Sequence, residues 1–196
     1  MSEDQPPLPP VTTAIPGEDE PLVMAIPRRE LWGVAGVVKV IPMPVLEAIQ
    51  DEAWYGTPSQ IVQDLDAKQL RLGLLIVRSD AEGRQALVSV SGVLMQCMAV
   101  GILAGERPGS RLRTLRELAA QEACLLIGQV GVRVELVGLM NIDQQPELRP
   151  FALLVYRVMV PGSAAAPPGM NWVSLTVLAG MALDPGSQHA LGLCHG

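Results

Sequence analysis

Aromatic side chains are nearly missing from this chain. Six occur in 196 residues: Trp32, Trp54, Tyr55, Phe151, Tyr156 and Trp172. A core must therefore be built from Val, Leu, Ile, Ala and Met, and few rings are left to stack nucleic-acid bases. Positive charge is scarce as well, with 14 Lys and Arg against 20 Asp and Glu and a net charge of −6. Nucleic-acid binding needs a cationic surface to displace counterions from phosphates, so that class is excluded. The densest basic group, Arg107, Arg111, Arg113 and Arg116, reads first as a solvated helix face.

Cysteine is limited to Cys97, Cys124 and Cys194. An odd number without metal-ligand spacing fits reduced thiols and a cytoplasmic location rather than a disulfide framework. The two histidines, His189 and His195, fall at the C-terminal end, where a frayed segment is expected. No G-x-S-x-G, Walker A or G-x-G-x-x-G motif occurs. The spacing of Gly101, Gly105 and Gly109 reads as bends between a strand and a helix.

What is present is apolar: 49% of residues, enough for one domain with a core. Residues 1–22 are acidic and carry six prolines, which predicts a disordered tail. An ordered domain is expected over 31–191, with strands over 33–41, 72–78, 86–94, 132–140 and 151–160. A helical turn is expected near Val45–Ile49 and a short helix or turn after Trp172, while 59–70 has no firm assignment. Ser110 is a candidate N-cap, and Leu112, Leu115, Leu118, Glu122 and Leu125 recur at helical spacing until Gly128 stops the helix. The uncharged stretch from Gln85 to Gly105 approaches the length of a membrane span, but its serines, glutamine and glycines favour buried strands, so no membrane association is expected. Strands, one long central helix, strands and a last short helix predict an α/β (α+β) fold, a mixed sheet flanked by helices.

Several segments in this order resemble the Nudix hydrolase superfamily. Leu74-Leu75-Ile76-Val77-Arg78 is similar to the strand before the Nudix box. Val137-Gly138-Leu139-Met140-Asn141-Ile142-Asp143 and Phe151-Ala152-Leu153-Leu154-Val155-Tyr156 are similar to the pair after it. Asn171-Trp172-Val173-Ser174-Leu175, Leu178 and Leu183-Asp184-Pro185 are similar to its closing segment. Val40-Ile41-Pro42 and the Asn141 loop are closest to a bacterial phosphoesterase-like subgroup. The resemblance implies a Nudix-like α/β/α sandwich.

The box reads G-x5-E-x7-R-E-U-x-E-E-x-G-U, where U is a bulky aliphatic. Its paired glutamates ligate Mg²⁺ or Mn²⁺, hard cations that take oxygen donors and activate water against a diphosphate. In one register Glu122 and Gly128 match, Gln121 stands for the arginine, Leu125 and Leu126 for the paired glutamates, and Arg107 and Arg113 for the upstream Gly and Glu. In the other register Arg116-Glu117-Leu118 matches R-E-U, and the pair falls on Ala120 and Gln121. Neither register keeps a carboxylate at the metal-binding pair.

The resemblance with this degenerate box implies a catalytically inactive protein that holds no metal or other cofactor. It would act by binding a nucleoside diphosphate derivative or a protein partner, with a homodimer one arrangement. The alternative is a divergent hydrolase that recruits Mg²⁺ or Mn²⁺ through Glu106, Glu117 or Glu122, or through a replacement site of Asp80, Asp143 and Glu147.

Overall fold

The computed structural model describes residues 20–194 apart from Glu82, Gly105, Pro108 and Val130. Most of the segment expected as a tail, together with His195, lies outside the described residues. The first strand, β1 (Val23–Pro27), precedes the expected start at Leu31. It is followed by β2 (Gly36–Val38), α1 (Met43–Asp51), β3 (Trp54–Gly56) and α2 (Pro58–Gln63). The long strand expected over 33–41 shrinks to three residues, because Gly33 and Gly36 take positive φ, +86° and +75°, and turn the chain. At the start of the stretch left unassigned, Gln60 forms a capping box with the preceding Thr57 and so begins α2.

β4 (Ala67–Asp80) is the spine of the sheet. From Leu72 to Val77 its sequence is continuously apolar because both faces are covered. Leu70, Leu72, Leu74 and Ile76 face one core, Leu75 and Val77 the other. On one edge β4 pairs in turn with β1, with β6 (Met95–Ala99) and with β5 (Gly83–Ser89), all antiparallel. Along its other edge it runs parallel to β8 (Phe151–Val160), from Gln69↔Phe151 to Arg78↔Val160. The main path of the sheet is β2-β7-β8-β4-β1-β3, with β7 spanning Arg133–Asn141 and β9 (Met170–Ser174) pairing with β5.

Three more helices complete the covering of the sheet. α3 (Arg111–Ile127) packs with α1 on the Leu72 face; α4 (Leu175–Leu178) and α5 (Pro185–Ala190) cover the Leu75 face. The result is the expected mixed sheet between helical layers. Residues 85–99 of the uncharged stretch form β5, a turn and β6, and no helix among the described residues is long and apolar enough to cross a membrane. Gly92 makes the turn: its φ is +83°, and a Cβ there would stand 2.6 Å from the Ala182 carbonyl oxygen.

The buried side of α3 differs from the stripe expected of it. Leu115, Ala119 and Ala123 are buried, whereas Leu125 is 70% exposed. Two alanines, weak as apolar signals, let the helix lie close to the sheet and rotate the stripe away from Glu122 and Leu125. Ser110 occupies the cap position, but its hydroxyl donates to the Arg107 carbonyl at 2.8 Å rather than capping α3.

Candidate functional site

Gly128 fixes the register of the box-like helix. It has φ +69° and ψ 26°, the left-handed conformation that ends helices, and its N–H donates to Cys124 O at 2.8 Å. This geometry favours the register in which Gly128 is the box glycine. Glu122 then lies half-buried, Leu125 faces solvent, and Leu126 packs against the core around α3. Met98, Ile102, Leu103, Leu118, Gln121 and Glu122 line an open groove of about 510 Å³ beside the helix.

The donor set does not fit a Nudix-type metal. Leu125 and Leu126 are hydrocarbon and offer no lone pair to Mg²⁺ or Mn²⁺. Glu106 accepts from Tyr55 Oη at 2.9 Å and from Arg111 Nε at 2.5 Å. Glu117 accepts from Arg113 at 2.9 Å on the exposed face. Among the described residues no group of three or more His, Cys, Asp and Glu converges. The replacement set fails on geometry: Asp143 contacts Lys68 near the start of β4, while Asp80 ends that strand, about 40 Å away at ~3.3 Å per residue.

The arginine group is only partly a solvated face. Arg107, Arg113 and Arg116 are exposed, but Arg111 is half-buried and donates to Ile49 O at 3.0 Å, and Arg116 donates to Val134 O at 3.1 Å.

The opposite face of the sheet holds a polar cluster that the sequence reading missed. Arg71 projects from β4 with its guanidinium 3.9 Å from the centroid of the Phe151 ring, and burial holds its pKa below the usual arginine value. Its Nε is buried without a hydrogen-bond partner, as are Gln145 Oε1 and Asp184 Oδ2. Asp184 caps α5 with its other oxygen, which accepts from Gly186 N at 3.0 Å and Ser187 N at 3.2 Å. Gln145 Nε2 lies 2.9 Å from His189 Nε2, so His189 belongs to an ordered helix and not to a frayed end.

Cys97 links these groups. The residue is exposed, yet desolvation of its thiol pushes the pKa up to about 11, with Arg71 opposing the rise and Asp184 adding to it. Gln145, Leu183, Pro185, Gln188 and His189 border an adjoining opening of about 440 Å³. Buried polar groups are nearly always paired, so the unpaired atoms of Arg71, Gln145 and Asp184, of which Gln145 borders this opening, are exceptions on this face. One signal was available in the sequence: Arg71 is a charge set between Leu70 and Leu72 at the start of an apolar run.

No protein-family model matches the chain, and no curated protein matches it. Solved structures do resemble it. Tm1382, a candidate Nudix hydrolase, superposes with a TM-score of 0.67 at 14% identity, over 88% of this chain and 97% of that one. The NUDIX domain of Shewanella oneidensis NrtR, solved in complex with ADP ribose, gives 0.46 at 11% identity over 70% and 96% of the two chains. The Ap4A hydrolase of C. elegans gives 0.41 at 12% identity over 65% and 95%. The similarity to Tm1382 establishes the Nudix fold, and the expected α/β/α sandwich with it.

Proposed function

We propose that this Nudix-fold protein binds a small polar ligand and does not hydrolyse it by the metal route of the box. The observation that carries the reading is the Leu125–Leu126 pair at the end of α3, where two oxygen donors would be needed. Glu122 alone supplies one carboxylate, too few to hold and orient a divalent cation. The unpaired polar atoms of Arg71, Gln145 and Asp184 support binding on the other face of the sheet: a cationic donor and two acceptors on one face suit a ligand with both anionic and hydroxyl groups. A nucleoside diphosphate derivative is of that class.

Calorimetric titration with ADP-ribose, followed by chromatography of the recovered ligand, tests this. Saturable binding, intact ligand, and an affinity about tenfold or more weaker in Arg71→Met are expected, since a charge-assisted hydrogen bond is worth about 1.5–3 kcal/mol. Cleaved ligand, no binding, or equal affinity in the folded variant would overturn the reading.

A further inference from the structure

A second cavity lies at the far end of the β4/β8 pair, remote from both regions above. It holds about 300 Å³, near the lower limit for a small-molecule site, and is walled by residues 77–79 of β4 and 159–162 of β8 and its loop. These are the carboxyl ends of two parallel strands, the position at which open α/β sheets leave a crevice. Gly162 shapes the wall. A Cβ there would approach the Ser79 carbonyl oxygen to 2.5 Å, so the loop after β8 can lie against the end of β4 only without a side chain.

The charge around this cavity runs against the rest of the molecule. In a chain of net charge −6, its described lining residues include Arg78, Arg84 and Arg157 and not one acid. Strand pairing places Ser79 opposite Arg84 and Val77 opposite Met159, and side-chain alternation puts Arg157 on that same face. Arg78 is committed elsewhere: it donates to Gln85 and to Ala164 O, pairs with Asp80 at 3.7 Å and stacks 4.6 Å from the Trp172 ring centroid, so the ligand is left to the other two arginines. Arg157 donates to Glu135 at 2.9 Å. A guanidinium carries five N–H donors, so Arg84 and Arg157 can each serve a ligand as well as their protein partners.

The remaining surface is apolar. Val77, Met159, Val160 and Pro161 line it, with Cys194 at one side. Burial pushes the Cys194 thiol up to about 11, against the lowering influence of Arg157, so it stays a neutral wall at physiological pH.

We infer that this cavity binds a small organic carboxylate, its head between Arg84, Arg157 and the Ser79 hydroxyl and its short apolar body against Val77, Met159 and Pro161. The inference does not depend on the ligand proposed for the Arg71 cluster.

The test is a titration of isotopically labelled, full-length protein with hexanoate, hexanol and inorganic phosphate, read by amide chemical shifts. Hexanoate is expected to shift Val77, Ser79, Met159 and Gly162 and to leave Gln145 and His189 unmoved. Hexanol, which lacks the charge, and phosphate, which lacks the apolar body, are expected to bind about tenfold or more weakly. Arg84 is exposed on a hairpin, so Arg84→Glu should fold normally and weaken hexanoate by about tenfold or more. Arg84→Lys should retain most of the affinity. The inference is overturned by unshifted cavity residues, by hexanol or phosphate binding as tightly as hexanoate, or by unchanged affinity in Arg84→Glu.

Discussion

Lys68 and Arg71 stand on the same strand three residues apart, both cationic, and strand alternation sends them to opposite faces of the sheet. Lys68 is fully buried, and its ammonium is enclosed. It donates to Asn141 Oδ1 and pairs with Asp143 at 3.0 Å; Asn141 donates in turn to Val34 O at 2.6 Å, and Arg28 joins Asp143 at 2.6 Å. Those bonds tie the residues after β1, the start of β4 and the end of β7 together. Arg71 has an aromatic ring and no acceptor for its buried Nε. A closed network of this kind fixes structure, while an open one leaves bonding capacity for something outside the chain.

The difference can be broken by mutation, most strongly at Asp143. Asp143→Ala would leave the buried Lys68 with one neutral acceptor, and is expected to cost about 3 kcal/mol in urea unfolding. Lys68→Met should cost less, about 1–2 kcal/mol, because Asp143 keeps Arg28 and is 47% exposed. Arg71→Met is expected to shift stability by under about 1 kcal/mol. It loses a cation–π contact worth about 0.5–1 kcal/mol but also removes an unpaired buried donor. If Arg71→Met proves as damaging as Asp143→Ala, the two clusters are alike and the contrast fails.

The smallest effects are in the pH profile. For Asp143, burial acts to raise the pKa, but the hydrogen bond and charge of Lys68, then those of Arg28, outweigh it and hold the carboxyl below its usual value. Its stabilising contribution is thus complete above the unfolded carboxylate value of about 3.9 and is lost as pH falls through the lower folded value. Lys68 is pushed down, first by burial, with Asp143 opposing. Between the lowered folded value and the unfolded value of about 10.4 the unfolded chain holds more protons, so stability rises with pH there. Chemical denaturation across pH should show the acid-side slope shrink in Asp143→Asn and the alkaline slope vanish in Lys68→Met.

These clusters also mark how far the sequence can be read. The long strands were legible because runs such as Leu72–Val77 and Ala152–Val155 are apolar on both faces, and Gly128 announced the end of α3. The helix's buried face was not, because Ala119 and Ala123 carry little hydrophobic signal and contact with the sheet decides their burial. The Arg71 cluster was beyond reach for a different reason: Arg71, Gln145 and Asp184 come from three distant segments, and only the parallel pairing of β4 with β8 and the docking of α5 bring them together. The loss of oxygen donors at 125 and 126 was readable, since it is a matter of residue identity once the register is set.

That loss is the centre of the account, and turnover tests it most directly. Phosphate and nucleotide release from ADP-ribose and diadenosine tetraphosphate should be followed with Mg²⁺ and with Mn²⁺, for the native protein and for Glu122→Gln. The account predicts no release above the protein-free background and no difference between the two proteins. Metal-dependent turnover that Glu122→Gln abolishes would contradict it.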